Sequence, residues 1–153
     1  MQVRVLGAAK EVGRSAFQVN CDGASFLLDY GVELKKESLY PITVDPHEIN
    51  AAIITHAHLD HSGNMPALFV NGSTDVYATP PTFDLSRLLI EDMLRIQKSQ
   101  LPYDFASVSK MMMHSKEIRY KEKVERANAS FQLLESGHVL GGAAVLVESE
   151  KKR

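Results

Sequence analysis

The sequence predicts an α+β fold in which strands come first, helices occupy the middle of the chain and strands return at the end. Short apolar runs separated by glycine turns predict the opening strands at residues 3–6, 15–20 and 25–29. Apolar residues at helical spacing predict a long helix at residues 83–98. Two further apolar runs predict strands at residues 131–134 and 143–148.

Four more elements follow from local signals in the middle of the chain. They are a strand at residues 51–55, a short helix at 62–70, a strand at 75–78 and a helix at 105–115. Pro80 and Pro81 suit the start of the long helix, where a missing N–H costs no hydrogen bond. The stripe predicted to face the core consists of Leu85, Leu88, Leu89, Met93 and Ile96.

Length and composition restrict the class of protein. At 153 residues the chain has the size of one domain, long enough to form a core without disulfides. Its single cysteine, Cys21, excludes an internal disulfide and fits a cytoplasmic location. No apolar run approaches the roughly 20 residues of a membrane span, so a soluble protein is expected.

A net charge of −2 does not favour a surface made for nucleic acid. Basic residues are frequent in the second half of the chain, but glutamates lie among them. This mixture favours a solvated mixed-charge face, and a local RNA-binding patch is the alternative.

The most informative motif is residues 55–63, which hold three histidines and a carboxylate directly after an apolar run. Imidazole nitrogen and carboxylate oxygen are ligands that zinc and similar divalent metals prefer. The absence of cysteine from this group favours a catalytic site over a structural one. The alternative is a surface turn that is rich in histidine.

The pattern His56-x-His58-x-Asp60-His61 resembles the metal motif of the metallo-β-lactamase superfamily. The superfamily has an αββα sandwich fold, and its metal-activated water attacks esters, amides or phosphodiesters. Residues 7–15, 27–31, 84–92 and 136–141 resemble the β-CASP branch of RNA nucleases, which includes archaeal cleavage and polyadenylation factor homologues and RNase J. Because the motifs begin close to Met1, the archaeal type without KH domains is the closer likeness.

The resemblance assigns site residues position by position. His56, His58 and His138 resemble the ligands of one zinc, and Asp60 and His61 those of a second. Asp29 is similar to a family carboxylate that supports the histidine loop without being a principal ligand. A buried acid at a strand end can hold the second nitrogen of a ligating imidazole, which agrees with that role.

Two of these assignments have alternatives, and two other histidines lie outside the motif. Asp29 could instead cap the turn that follows it, and His138 could be an ordinary loop histidine. His47 and His114 match no motif and are predicted to be surface residues.

The resemblance implies a ribonuclease in which two zinc ions activate a water molecule, with Asp60 and His61 as the catalytic residues. The family's bridging Asp and last His have no counterpart in these 153 residues. Residues 1–153 are therefore predicted to be a partial metallo-β-lactamase domain, the N-terminal half of the sandwich, with the β-CASP domain absent. One zinc or none is expected here, and full activity is not.

Other functions remain open. A different hydrolase of the superfamily, acting on a small thioester or lactone, needs only the motif from His56 to His61. A non-catalytic fragment or partner subunit is the third possibility. The expected partners are RNA in the full-length enzyme, no membrane, and either a second copy or a complementary chain that covers an exposed sheet, because half a sandwich leaves apolar surface uncovered.

Overall fold

The computed structural model describes residues 1–35, 39–97 and 100–149. The strands in these ranges are β1 (Gln2–Gly7), β2 (Ala16–Cys21), β3 (Ala24–Tyr30), β4 (Ala51–Ile53), β5 (Val76–Ala78), β6 (Ser115–Glu117), β7 (Lys123–Arg126), β8 (Ala129–Glu135) and β9 (Ala143–Ser149). The α-helices are α1 (Leu59–Ser62), α2 (Pro80–Gln97) and α3 (Phe105–Met113). Pro46–Glu48 and Met65–Phe69 form short 3-10 helices.

The larger sheet contains six strands in the order β1-β2-β3-β4-β5-β6. Its first three strands, which the sequence predicts, form an antiparallel meander, and β3 to β6 run parallel. Asp22 (φ 47°) and Gly23 (φ 88°) make the tight turn between β2 and β3. Positive φ at both positions suits the right-handed twist of a hairpin, and Asp-Gly tolerates it well.

The smaller sheet contains β7, β8 and β9 and packs on one face of the larger sheet. Phe131 in β8 lies between Phe26 of β3 and Tyr77 of β5, with ring centroids 5.4 Å and 5.2 Å apart. Such edge-to-face contacts add to the free energy gained by burying the rings. The other face of the larger sheet packs against side chains of α2 and α3, including Phe83, Ile90 and Met111. The described chain therefore forms three layers, helix, sheet and sheet.

The predicted core stripe of α2 is wrong in part. Met93 is buried, but Leu88 and Ile96 are 60% and 72% exposed, and Leu85 and Leu89 are only half-buried. The buried face instead consists of Thr82, Phe83, Ser86, Ile90, Met93 and Leu94. Apolar residues surround much of this helix, so periodicity alone could not identify the face that meets the sheet.

The prediction of a single short helix at residues 62–70 is also wrong. The structure has α1, which begins at Leu59, and then the separate 3-10 helix Met65–Phe69. The predicted long helix is present as α2, but it begins earlier, at Pro80. Lys98, the last residue of the predicted helix, lies outside the described residues. Across the described ranges, none of the helices has the length and apolar character that a membrane span requires.

Apolar side chains are exposed at the edges of both sheets. Val3 and Val5 of the edge strand β1 are 58% and 45% exposed. In β9, the edge strand of the smaller sheet, Ala144 and Leu146 are exposed on the outer face. Exposed apolar side chains therefore lie on an edge strand of each sheet.

Candidate metal centre

The histidine loop lies where the parallel strands of the larger sheet end. Carboxyl ends of neighbouring parallel strands meet at one edge of a sheet, where ligand sites of α/β proteins commonly lie. Asp29 is near the end of β3, and His56 and His58 follow β4. Asp60 and His61 belong to α1, so one short connection carries four of the predicted ligands.

The third histidine of the predicted zinc site comes from the smaller sheet. His138 lies in the loop between β8 and β9, and the backbone N–H of Ala143 at the base of that loop donates to the Thr55 carbonyl at 2.8 Å. The ligand nitrogens of His56, His58 and His138 all lie within 4.8 Å of one another. His56 is buried, whereas His58 and His138 are exposed.

The imidazole of His61 completes a group of four rings. Its centroid lies 4.0 Å from that of His56. Its Nε2 lies 3.6 Å from a carboxylate oxygen of Asp60. The structure therefore brings the five predicted ligands to one edge, as a group of three imidazoles and an adjoining pair.

Asp29 connects this group to the sheet through three hydrogen bonds. Its carboxylate accepts from the backbone N–H and the hydroxyl of Thr55, both at 2.8 Å, and lies 2.7 Å from Nδ1 of His61. Asp29 adopts a left-handed backbone conformation (φ 57°), which is uncommon outside glycine. Its carboxylate thus binds the histidine loop, as the resemblance implies, and the turn-cap alternative does not describe these contacts.

Thr55 is a site residue that the sequence analysis did not single out. Its hydroxyl lies 2.8 Å from Asp29 and 3.0 Å from Nδ1 of His56. Asp29 therefore orients His61 directly and His56 through Thr55. The only sequence signal was the position of Thr55 immediately before the first histidine.

Burial and hydrogen bonding change the proton affinities of this network. Burial raises the pKa of Asp29, and the bonds from His61 and Thr55 offset that effect only in part. Burial would lower the pKa of His61, but the hydrogen bond and charge of Asp29, followed by the charge of Asp60, outweigh it and raise the pKa. The Asp29 carboxylate, which can only accept when ionised, favours a proton on the His61 Nδ1 that faces it, and Nε2 faces Asp60.

Gly31 allows α1 to approach the end of β3. A Cβ at this position would lie 1.8 Å from the carbonyl oxygen of Asp60 and 2.7 Å from the amide nitrogen of His61. The backbone N–H of Ser15 also donates to the Asp60 carbonyl at 2.7 Å. The backbone of the Asp60–His61 pair is thus fixed by close packing that only glycine permits.

The donor set fits a small divalent cation. Three imidazoles with room for a further ligand match the composition of a catalytic zinc site. Two nitrogens bound to one tetrahedral zinc are about 3.4 Å apart, so zinc binding would draw together these three nitrogens, which lie within 4.8 Å of one another. Asp60 and His61 supply only two candidate ligands for a second ion.

The two histidines predicted to lie on the surface are away from this group. His47 is exposed in the first 3-10 helix. His114 is half-buried, and its ring packs against Phe69 with centroids 5.4 Å apart. His47 is therefore a surface residue, as predicted, whereas the His114 ring is partly covered by Phe69.

A cavity of about 490 Å³ adjoins the site. His58 and Asp60 form one side of it, and its apolar wall contains Val12, Leu34 and Leu89. Val12 is 86% exposed at the rim. A ligand beside the histidines would thus meet an apolar surface.

Asp29→Asn is expected to weaken zinc binding about 10- to 100-fold, the usual cost of losing an acceptor behind a ligating histidine. Asparagine keeps the shape of the side chain but loses the charge that holds the proton on His61. Chelator competition measures the dissociation constant. Asp104→Asn, which changes an exposed carboxylate at the start of α3, is the control and should leave zinc binding unchanged. Equal affinities for the two variants would contradict the role of Asp29.

The metal-free protein is expected to lose stability as the pH falls from about 6.5 towards 4. Burial, with smaller contributions from the charges of His61, His58 and His138, lowers the pKa of His56 from 6.5 to about 4. In this window the unfolded chain binds a proton on His56 that the folded chain does not, so acid favours unfolding. His56→Gln should flatten the pH dependence of the free energy of unfolding between pH values of about 6.5 and 4.5. The free energy of unfolding is measured by urea unfolding at each pH, and the same change with pH in both proteins would contradict this account.

The fold and the site together define a class of protein: a helix-sheet-sheet assembly with a histidine cluster at one edge of its sandwich. A solved structure of a B3 metallo-β-lactamase with an active-site glutamic acid has this fold, with a TM-score of 0.63 and 17% identity. The match covers 96% of this chain and 54% of that one. At this identity the likeness concerns the fold alone.

Sequence comparison gives the family. The family model that describes the sequences of the metallo-beta-lactamase superfamily domain matches residues 18–153. The chain therefore belongs to the metallo-β-lactamase superfamily, which confirms the resemblance drawn from its motifs.

Two relatives illustrate the similarity and its extent. The RNase aCSPSF2 of Saccharolobus solfataricus is 34% identical over 152 residues, covering 97% of this chain and 31% of the relative. The transcription termination factor FttA of Methanosarcina mazei is 37% identical over 154 residues, covering 94% and 24%. The chain thus spans about a third or less of the length of these two relatives.

Proposed function

We propose that this chain is the metal-binding part of a zinc-dependent RNA nuclease of the β-CASP type, acting in the cytoplasm. The single observation that carries the proposal is the approach of His138, from the smaller sheet, to within 4.8 Å of His56 and His58. A surface turn that is rich in histidine would not explain this approach, because His56 and His138 are 82 positions apart in the sequence. His56, His58 and His138 would hold one zinc, and Asp60 and His61 would contribute to a second.

A bound zinc would lower the pKa of a water molecule towards about 7 and polarise a phosphoryl oxygen. The residues of the chain have separate tasks. Asp29 fixes the direction of the His61 imidazole and Thr55 that of the His56 imidazole, which leaves the Nε2 atom of each ring for metal binding. Asp60 is half-exposed beside His61 and would orient the attacking water or accept its proton.

The choice of RNA as the substrate rests on the relatives and on the flanking motifs. The relative from Saccharolobus solfataricus is named an RNase, and a further relative, from Thermus thermophilus, is named a ribonuclease and is 34% identical. Since these proteins are about three times longer, residues outside this region would contribute to RNA binding and to the second metal site. We therefore expect weak activity or none from this chain alone.

Zinc binding and RNA cleavage test the proposal together. Zinc-loaded protein is incubated with end-labelled RNA, and His58→Ala serves as the matched variant. We expect the unaltered chain to bind zinc and the His58→Ala variant to lose that binding. Slow RNA cleavage by the unaltered chain, absent from the variant, would support the proposed nuclease function. Failure of the unaltered chain to bind zinc would overturn the proposal. Zinc binding without cleavage would leave the non-catalytic alternative in place for this region.

A second candidate, hydrolysis of a small thioester or lactone, is favoured by the apolar cavity beside His58 and Asp60. Val12, Leu34 and Leu89 would suit the hydrocarbon part of such a substrate better than a phosphodiester backbone. A thioester assay beside the RNA assay separates the two candidates. Thioester hydrolysis without RNA cleavage would favour this second function.

We also propose that additional polypeptide, from a second copy or a complementary chain, covers the exposed sheet edges. Among the described residues β1 and β9 are edge strands, and Val3 and Val5 on β1 offer exposed apolar area there. Self-association measured by size-exclusion chromatography with light scattering is expected, and the double variant Val3→Lys, Val5→Lys should reduce it. A compact, stable monomer at all concentrations would contradict self-association.

A further inference from the structure

We propose that Thr79 and Thr82, at the start of α2, are positioning residues that hold His138 in the candidate metal centre. The proposal rests on the function proposed above, because it concerns the third ligand of the same site. The two side chains are almost completely buried, with Thr79 4% exposed and Thr82 0% exposed. Neither threonine belongs to the histidine motif.

Both threonine hydroxyls contact the backbone carbonyl oxygen of Gly141, which lies three residues after His138. The hydroxyl of Thr79 lies 2.8 Å from this oxygen and that of Thr82 lies 3.0 Å from it. The two hydroxyls are also 3.0 Å apart. Because Thr79 follows β5, the same edge of the larger sheet that carries His56 also fixes the loop from the smaller sheet.

Gly141 permits this contact in two ways. Its backbone is left-handed (φ 77°), a conformation that residues with a Cβ adopt at a cost. A Cβ at Gly141 would lie 2.6 Å from the Thr79 hydroxyl and 2.9 Å from the amide nitrogen and hydroxyl of Thr82. The start of α2 and the His138 loop therefore fit together at a point where no side chain can intervene.

The loop has other supports, at its base and beside the histidine itself, where the His138 N–H donates to the Ser136 hydroxyl oxygen at 3.4 Å. Gly142 accepts a hydrogen bond from the Tyr120 hydroxyl at 3.0 Å, and Ala143 donates to Thr55 at 2.8 Å. A turn from Val139 to Gly142, closed by a 2.9 Å bond, connects this base to His138. The threonine contact fixes the turn from the opposite side. Since the His138 side chain is exposed, the position of its ring depends on the backbone that carries it.

The test compares valine and serine at positions 79 and 82. Valine keeps the shape of threonine and removes the hydroxyl, whereas serine keeps the hydroxyl. The double variant Thr79→Val, Thr82→Val should bind zinc about 10-fold more weakly, and Thr79→Ser, Thr82→Ser should retain most of the affinity. Zinc-induced changes of imidazole nitrogen shifts should persist for His56 and His58 and diminish for His138.

Thr74→Val is the matched control. Thr74 is also buried, at 7% exposure, and its hydroxyl donates to the Ile49 carbonyl at 3.0 Å, in a contact that does not involve the histidine loops. This variant loses a comparable buried hydrogen bond, so it should lower the urea midpoint without changing zinc affinity. A zinc affinity that falls equally in Thr74→Val and in the double valine variant would overturn the proposal.

A measurement without metal separates this inference from the proposed function. In the metal-free protein, the amide of Gly142, which donates to Val139, should exchange faster in the double valine variant than in Thr74→Val. If the unaltered chain binds no zinc, the proposed function fails and this exchange comparison still tests the contact. Equal exchange rates would overturn the inference. If the double variant does not fold, Thr79→Val alone supplies the same comparison.

Discussion

His58→Ala should reduce zinc affinity by at least about 100-fold and leave the free energy of unfolding of the metal-free protein within about 0.5 kcal/mol of its original value. His58 is exposed and makes no side-chain hydrogen bond at the start of α1. Its removal leaves two of the three imidazoles, fewer than the three protein ligands typical of a catalytic zinc site. Elemental analysis after gel filtration measures the bound zinc, and urea unfolding measures the stability.

His47→Ala is the control for this prediction, because His47 is also exposed but lies in the first 3-10 helix, away from the cluster. It should bind zinc like the unaltered protein. Equal zinc content in the two variants would mean that the three imidazoles do not form the binding site. A loss of stability in His58→Ala would show instead that the ring has a packing role that its exposure does not indicate.

Phe131→Ala should lower the free energy of unfolding by about 3–5 kcal/mol, the largest effect on stability expected for this chain. Phe131 is 1% exposed and lies between the two sheets, in contact with Phe26 and Tyr77. Alanine would leave a cavity in the apolar layer between the two sheets. Urea unfolding measures the loss, and the midpoint of thermal unfolding should fall by roughly 10 °C.

Ile96→Ala is the matched control for Phe131→Ala. Its periodic position predicts a core residue, but in α2 the side chain is 72% exposed. The change should therefore alter stability by no more than about 0.5 kcal/mol. A loss of several kcal/mol would mean that this face of α2 is covered in solution, for example by a second copy of the chain. An effect of Phe131→Ala below about 1 kcal/mol would contradict the packing of the two sheets.

Local signals predicted much of the fold because they act over a few residues. The Asp22-Gly23 turn gave the hairpin of β2 and β3, and the run before Thr55 gave the strand that carries the histidine loop. Strands β6 and β7 were not predicted individually. They are three and four residues long and mostly polar, so no apolar alternation marks them.

The residues of the candidate site were also predicted only in part. The order His56-x-His58-x-Asp60-His61 was evident from spacing, and His138 and Asp29 followed from resemblance. Thr55, Thr79 and Thr82 were not predicted as site residues. A threonine hydroxyl acquires its role only from the acceptor that the fold places within hydrogen-bonding distance, and here those acceptors are distant in sequence.

The sequence by itself determined the strand-and-helix order, the histidine loop after a buried strand, and the superfamily, because each depends on residue types at short spacing. Only the tertiary structure decided that Ile90 and Leu94 face the core while Leu88 and Ile96 do not, and how closely His138, a ligand expected from resemblance, approaches His56 and His58. The physical reason is common to both. Burial and ligand geometry arise when segments far apart in the chain pack against each other, and local spacing holds no information on which partner will be there.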